Sequence, residues 1–129
     1  MTMRILIVDD SPTMRRMIMN VLRLLDGVIF DEAANGLEAL ERIALAQPDL
    51  LILDLNMPDM NGMDVIRFLR SHARYHELPI LVLTTRGDPE SREEALAAGA
   101  DFYMAKPFQP QQLLEEVRAL TTVVEPARG

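Results

Sequence analysis

The sequence predicts an α/β fold with a doubly wound, parallel five-stranded sheet. Short apolar runs alternate with helical patterns along the chain, and the runs lack the strict two-residue alternation of strands exposed on one face. Each strand is therefore expected to be buried on both faces, with right-handed crossovers that place helices on both sides of the sheet. The predicted strands are residues 5–8, 28–30, 50–53, 80–83 and, more weakly, 102–104.

Helices are predicted between and after these strands. Start signals, each a capping residue or a proline at a first helical turn, stand at Ser11-Pro12, Asn35-Gly36, Asp88-Pro89 and Gln109-Pro110. Apolar residues recur at spacings of three and four in the first and last helices, at Met14, Met17, Ile18, Val21, Leu22 and Leu25 and at Leu113, Leu114, Val117 and Leu120. Gly27 and Gly99 stand where helices should stop.

The composition limits the class of protein. With 129 residues and 49% hydrophobic side chains, the chain is one domain long, predicted over residues 1–122 with a tail at 123–129. It has no cysteine, which excludes disulfides and thiolate chemistry, and its formal charge of -7 would repel nucleic acid and anionic lipid. The N-terminus resembles neither a signal peptide nor a membrane span, so we expect a cytoplasmic protein that binds neither nucleic acid nor membrane.

Polar side chains stand at the tips of the predicted strands. Asp9 and Asp10 follow the first strand, Asp54 the third, Thr84 the fourth and Lys106 the fifth. The carboxyl ends of parallel strands share one edge of the sheet, where ligands bind in open α/β folds. Because neighbouring residues on a strand point to opposite faces, Asp9 and Asp10 can serve one site only if the strand gives way to a loop there.

Such a cluster of carboxylates requires cations. Two carboxylates about 4 Å apart repel by roughly 4 kcal/mol at an effective dielectric near 20, which is a large part of a domain stability of about 5–15 kcal/mol. A sulfur-free set of oxygen ligands suits Mg2+, and Lys106 would add a second positive charge. Mg2+, an ammonium and a hydroxyl together form a receptor for a phosphoryl group, and a carboxylate beside them can act as its nucleophile.

Other interpretations fit these residues less well. A calcium loop would need a ligand where Pro58 stands, a flavin or dinucleotide site would need a glycine- or hydroxyl-rich loop where the chain has DDSPT, and no P-loop motif is present. His72 and His76 are interpreted as a solvated pair at a helix end rather than a metal site. Met14 and Met17 are interpreted as core residues of the first helix.

Together the motifs resemble the receiver domain of two-component response regulators, over essentially the whole chain. The segments IVDDSPTMRRMI, LILDLNMPDMNG and LVLTT, and the closing Lys106-Pro107-Phe108, occur in the order and at the intervals of that family. The length and the first helix are most similar to its single-domain, chemotaxis-type receivers. The resemblance implies a flavodoxin-like (βα)5 fold with strand order 2-1-3-4-5 and a cis peptide bond before Pro107.

The resemblance also implies the chemistry of the strand tips. Asp54 would be the phosphoacceptor, Lys106 would pair with a phosphoryl oxygen, and Thr84 would move to hydrogen-bond another. Asp10, Asp54 and the backbone carbonyl of Asn56 would hold Mg2+ directly, with Asp9 acting through water.

Two further positions carry regulatory expectations. Tyr103 matches the aromatic residue that swings from exposed to buried when the threonine moves, which would alter the surface formed by the fourth helix, fifth strand and fifth helix. Arg86, like Asn56, falls where the family varies and where the lifetime of the phosphate is tuned.

Two functional classes are compared. The preferred one is a phosphorylation-controlled switch, not an enzyme beyond its own phosphorylation and dephosphorylation. Its partners would be a histidine kinase or phosphotransfer protein and a downstream target, such as a flagellar motor or a phosphorelay protein, and it would be a monomer or a phosphorylation-dependent dimer. The other is a magnesium-dependent phosphatase, which would set two acids around a nucleophile on the first strand, whereas Asp54 is on the third. An adaptor that is never phosphorylated is a further alternative.

Overall fold

The computed structural model describes residues 2–122, which form one parallel sheet with helices on both faces. The strands are β1 (Met3–Val8), β2 (Val28–Ala33), β3 (Leu50–Leu53), β4 (Ile80–Thr84) and β5 (Phe102–Ala105), and the helices are α1 (Pro12–Leu22), α2 (Gly36–Leu45), α3 (Gly62–Ser71), α4 (Pro89–Ala98) and α5 (Pro110–Thr122). All strand pairs are parallel, in the order β2-β1-β3-β4-β5. This confirms the predicted fold class and strand order. The predicted tail at 123–129 lies outside the described residues.

Successive side chains of each strand enter two different cores. In β1, Ile5 and Ile7 pack with α1 and α5 on one face, while Leu6 and Val8 pack with α2, α3 and α4 on the other. All four residues of β3 are buried, as expected for the central strand of a sheet that is covered on both sides. Because β3 is central, its tip has neighbouring strand tips on either side.

Capping residues begin the helices at the predicted positions. The side chains of Ser11, Asn35 and Asp88 each accept a hydrogen bond from the amide three residues later, at 3.1, 2.8 and 2.9 Å, which satisfies an otherwise unpaired donor of the first helical turn. Helix α5 begins at Pro110. Gly99 ends α4 with a φ of 125°, a conformation that side chains with a Cβ rarely adopt.

The end of α1 differs from the prediction. The helix stops at Leu22, five residues before Gly27, and the chain continues as a tighter turn. In that turn the amides of Leu24 and Leu25 bond to carbonyls three residues earlier, at 3.3 and 3.0 Å, which is the 3₁₀ pattern common at helix ends. Leu25 still packs against the core, which explains why the apolar periodicity continued beyond the helix.

Strand β2 extends three residues beyond the predicted strand, to Ala33. The prediction stopped before Asp31 and Glu32 because they are charged. Strand β2 lies at the edge of the sheet, where both side chains reach partners: Asp31 pairs with Arg4 at 3.0 Å and Glu32 with Arg15 at 2.8 Å.

Two smaller predictions concern the methionines and histidines. Met14 is partly buried against the core, but Met17 is 47% exposed, so its assignment to the core was wrong. His72 and His76 are both exposed just after α3, in agreement with their interpretation as a solvated pair.

Candidate functional site

Asp9 occupies the first position after β1, and its polar atoms are hydrogen-bonded. Its amide donates to the Ala33 carbonyl at 3.1 Å, which continues the β1–β2 ladder by one residue. Its carboxylate accepts from the Ser11 amide through Oδ1 at 2.9 Å and from Lys106 Nζ through Oδ2 at 2.6 Å. The residue is 2% exposed, so this is a buried carboxylate held in one orientation.

Asp54 stands at the corresponding position after β3. Its amide donates to the Val8 carbonyl at 3.0 Å, while its Oδ1 accepts from the Asn56 amide at 3.2 Å. The start of α3 is packed directly against this turn, because a Cβ on Gly62 would lie 2.7 Å from the Asp54 carbonyl oxygen. Glycine at that position thus allows α3 to cover the turn, and Asp54 is only 5% exposed.

Lys106 brings a positive charge between these two carboxylates. Its Nζ lies 2.6 Å from Asp9 Oδ2 and 3.3 Å from Asp54 Oδ2, and its side chain is 9% exposed. The residue follows β5, and its amide bonds to the Thr84 carbonyl at 2.7 Å. The peptide bond to Pro107 is cis, as the family resemblance implied. Lys106 is also the single lysine among thirteen basic residues.

The acidic cluster fits a magnesium ion by its donor chemistry. Carboxylate oxygens of Asp9, Asp10 and Asp54 all lie within 4.8 Å of one another, and hard oxygen donors of this kind are the ligands that Mg2+ prefers. Asp10 is exposed, unlike the other two. It lines a crevice of about 470 Å3 together with Asn56 and the loop that follows β3, so the cluster is open to solvent on that side.

A hydrogen-bonded bridge crosses the rim of this crevice. Arg86 Nε donates to the side-chain oxygen of Asn56 at 2.6 Å, and the side-chain Nδ2 of Asn56 donates to Thr85 Oγ1 at 3.0 Å. We call this set, Asn56 with Thr85 and Arg86, the rim bridge. It joins the loop after β3 to the loop after β4, and it directs the Arg86 side chain toward the site.

The two residues expected to act as a switch lie directly beneath the rim bridge. Thr84 is fully buried, and its Oγ1 accepts a hydrogen bond from the Arg86 amide at 3.4 Å. Tyr103 is buried with 7% exposure, and its hydroxyl donates to the Arg86 carbonyl. Burial raises the pKa of the Tyr103 hydroxyl, and the negative charge of Asp88 adds to the rise. The tyrosine therefore occupies the inward position.

Two residues near the site were not identified from the sequence. Asp59 accepts hydrogen bonds from the Gly36 and Leu37 amides, both at 3.0 Å, and so caps α2 from the loop after β3. Desolvation is the largest single influence and would raise the pKa of the Asp59 carboxyl, but the backbone donors together outweigh it and hold the pKa below its usual value. Arg15 donates to the backbone carbonyl of Asp9. These contacts are made to backbone atoms, which every residue has, so the sequence gives no sign of which residue is the partner.

Most of the chain matches a known protein family. A family model described as "Response regulator receiver domain" matches residues 5–118. The chain belongs to the response regulator receiver family. Receiver domains are parts of two-component systems, and they typically bind Mg2+ at an acidic pocket, which here corresponds to the cluster of Asp9, Asp10 and Asp54.

Individual relatives include both single-domain and longer proteins. The chain is 44% identical over 119 residues to chemotaxis protein CheY1 of Helicobacter pylori, covering 92% of this chain and 96% of the relative. It is 45% identical over 120 residues to response regulator MprA of Mycobacterium ulcerans, covering 93% of this chain but 50% of MprA. The receiver is therefore CheY-like in size, and it is also similar to the receiver portion of a larger regulator.

Solved structures agree with the receiver fold. A putative response regulator from Chloroflexus aurantiacus superposes with a TM-score of 0.89 at 38% identity, covering 95% of this chain and 99% of that one. Chemotaxis response regulator CheY4 of Vibrio cholerae gives a TM-score of 0.84 at 37% identity, covering 93% and 99%. Within residues 2–122, no helix of this receiver is both long and apolar enough to cross a membrane.

Proposed function

We propose that this receiver is a phosphorylation-controlled switch that accepts a phosphoryl group on Asp54. The observation that carries the proposal is the placement of the Asp54 carboxylate, which is buried at the tip of the central strand and lies 3.3 Å from Lys106 Nζ. The clustered oxygens of Asp9 and Asp10 lie on one side of it, and the Thr84 hydroxyl ends the neighbouring strand on the other. The Asp54 carboxylate is thus surrounded by two further carboxylates that can bind a cation, by the Lys106 ammonium and by the Thr84 hydroxyl.

The proposed reaction is a phosphoryl transfer from phosphohistidine on a histidine kinase or phosphotransfer protein, or from a small acyl phosphate. A carboxylate oxygen of Asp54 forms a bond to phosphorus while the bond from phosphorus to the leaving nitrogen or oxygen breaks. The leaving imidazole takes up a proton from solvent. Positioning and charge neutralisation supply the catalysis, as in other phosphoryl transfers.

Each surrounding group has a role in this step. Asp10, Asp54 and the carbonyl of Asn56 would hold Mg2+ directly and Asp9 would hold it through water, and the ion neutralises charge on the transferred group when bound. Lys106 changes partners: its ammonium, now shared by two carboxylates, would bind a phosphoryl oxygen.

The switch would link the new phosphate to the protein surface. Thr84 would turn its hydroxyl toward a phosphoryl oxygen, and the space it leaves would hold Tyr103 in the inward position that the tyrosine already occupies in this structure. Support for this coupling comes from the shared contact with Arg86, whose amide and carbonyl bond to Thr84 and Tyr103 respectively. A phosphorylated protein would then present an altered α4–β5–α5 surface to its target. The oligomeric state of phosphorylated and unphosphorylated samples would show whether phosphorylation also promotes a dimer.

Turnover distinguishes this proposal from a magnesium-dependent phosphatase. Incubation with acetyl phosphate and Mg2+ should add one phosphoryl group per chain and then reach a plateau. A generic phosphate ester should be hydrolysed no faster than in buffer. Sustained ester hydrolysis, lost in Asp54→Asn, would instead assign a phosphatase.

Thermal or urea unfolding with and without Mg2+ tests the acidic cluster. In EDTA, Asp54→Asn is expected to raise the free energy of unfolding by roughly 1–3 kcal/mol, because one of three clustered negative charges is removed while Lys106 keeps its shorter contact with Asp9. The stabilisation that Mg2+ confers should be weaker in the variant than in the wild type, because a ligand is lost. An unchanged response to Mg2+ in Asp54→Asn would contradict the assignment of that carboxylate to the metal.

The rim bridge is expected to protect the aspartyl phosphate from water. Arg86→Ala removes the guanidinium that is bonded to Asn56, so the phosphorylated variant should lose inorganic phosphate several-fold faster than the wild type. Arg92→Ala is the matched control, since it removes an exposed arginine from α4. A phosphate lifetime that is unchanged, or equally shortened in both variants, would show that the rim bridge does not control water access.

A further inference from the structure

Two consecutive aspartates can reach one site only if the backbone between them leaves strand geometry, because alternate residues of a strand face opposite sides of the sheet. Strand β1 ends at Val8, and the peptide unit that joins Asp9 to Asp10 is the first one free to turn. The orientation of this peptide unit therefore decides whether the two carboxylates converge. Its carbonyl oxygen belongs to Asp9.

Arg15 holds that carbonyl. From the first turns of α1, its Nη1 donates to the Asp9 carbonyl oxygen at 2.6 Å. Its Nε donates to Glu32 Oε1 on β2 at 2.8 Å. The arginine side chain is 14% exposed, so the guanidinium is fixed between the edge strand and the turn. The other polar atoms of Asp9 are held by Ala33, Ser11 and Lys106.

We propose that Arg15, oriented by Glu32, is a positioning residue that sets the magnesium affinity of the receiver by fixing the peptide unit between Asp9 and Asp10. This inference rests on the proposed magnesium-dependent function of the same site. Arg15 donates to a backbone oxygen next to the carboxylates and not to any carboxylate of the cluster, so it acts through the geometry of the ligands. Loss of groups that orient metal ligands typically lowers metal affinity by about 10- to 100-fold.

The sign of the effect separates positioning from simple electrostatics. Removing a positive charge near three carboxylates makes the cluster more negative, so charge alone predicts tighter binding of Mg2+ in Arg15→Gln. Loss of positioning predicts weaker binding. Arg16→Gln provides the matched control, because Arg16 is the next residue of the same helix and is exposed. It should show the electrostatic sign only, with an affinity equal to or slightly above that of the wild type.

The experiment is isothermal titration of Mg2+ into metal-free protein, with urea unfolding in EDTA to establish that each variant is folded at the titration temperature. Arg15→Gln is expected to raise the dissociation constant at least about tenfold. Glu32→Ala, which leaves Arg15 in place but removes its anchor, should raise it by a smaller factor. Because this variant also removes a negative charge, it is repeated in the Arg15→Gln background, where it should have no further effect if Glu32 acts through Arg15. Arg15→Lys can still donate one hydrogen bond and should lie between Arg15→Gln and the wild type.

The outcomes distinguish this inference from the function on which it rests. A wild type that does not bind Mg2+ would overturn the proposed function itself. A wild type that binds Mg2+, with Arg15→Gln binding as tightly or more tightly, would overturn the positioning role alone. Weakening of equal size in Arg15→Gln and Arg16→Gln would also overturn it, because the loss would then not depend on the contact to the Asp9 carbonyl.

Discussion

Asp54→Asn is expected to abolish covalent phosphorylation, whereas the wild type should gain the mass of one phosphoryl group after incubation with acetyl phosphate and Mg2+. The carboxylate is the nucleophile in this proposal, and an asparagine amide of the same shape cannot form the acyl phosphate. Intact mass measured directly after incubation gives the number of phosphoryl groups per chain. Asp59→Asn is the control, since Asp59 is an exposed carboxylate of the same loop and the variant should be labelled like the wild type.

Geometry favours Asp54 over Asp9, the other buried acid of the cluster. Both Asp9 oxygens are held by short hydrogen bonds of 2.9 and 2.6 Å, whereas the contacts of the Asp54 oxygens to Asn56 and Lys106 are longer, at 3.2 and 3.3 Å. An oxygen that is held less tightly costs less to redirect toward phosphorus. Equal labelling of the wild type and Asp54→Asn would show that another residue, and not Asp54, accepts the phosphoryl group. A folded, magnesium-binding wild type that is never labelled would indicate an unphosphorylated adaptor.

The sheet and its tips were predictable because each depends on local sequence. Five apolar runs are long enough to cross a buried sheet, and the residue after each run must lie at the common edge of a parallel sheet. Asp9, Asp54 and Lys106 could therefore be assigned to one site although they are 45 to 97 positions apart. The strand order came from the resemblance, since periodicity does not specify which strands are neighbours.

The predictions of the fold were wrong where a residue's environment depends on a partner that is distant in the sequence. Asp31 and Glu32 looked like the end of a strand, yet they extend β2 because Arg4 and Arg15 supply the opposite charges. Likewise Met17 has helical spacing but is 47% exposed, because the packing partner of a helix decides how wide its buried stripe is. Hydrophobicity along the chain contains no information on either partner.

The finer parts of the site depend on backbone atoms and loop geometry. The rim bridge joins side chains from two loops that are 29 to 30 positions apart, and only the positions of Asn56 and Arg86 could be noted from the sequence. The contact of Arg15 with the Asp9 carbonyl was not predictable, because every residue has a carbonyl.

Lys106→Met is expected to lower the free energy of unfolding by about 3–5 kcal/mol in EDTA, the cost of removing one partner from a buried ion pair. The ammonium contacts two carboxylates whose side chains are 3% and 6% exposed, and methionine has similar length but supplies no charge. Urea unfolding measures the loss. Arg92→Met removes an exposed positive charge from α4 and should change stability by no more than about 0.5 kcal/mol.

A second substitution and added Mg2+ show whether this loss is electrostatic. Asp9→Asn in the Lys106→Met background should recover part of the stability, with a coupling of about 0.5–3 kcal/mol, because it removes a charge that lost its partner. Mg2+ should stabilise Lys106→Met more than the wild type, since the ion can neutralise the same carboxylates without competing with an ammonium. If neither change restores stability, the loss in Lys106→Met does not come from carboxylates left without their counter-charge, and the ion pairs of Lys106 contribute little to stability. The acidic cluster would then be tolerated without a resident cation.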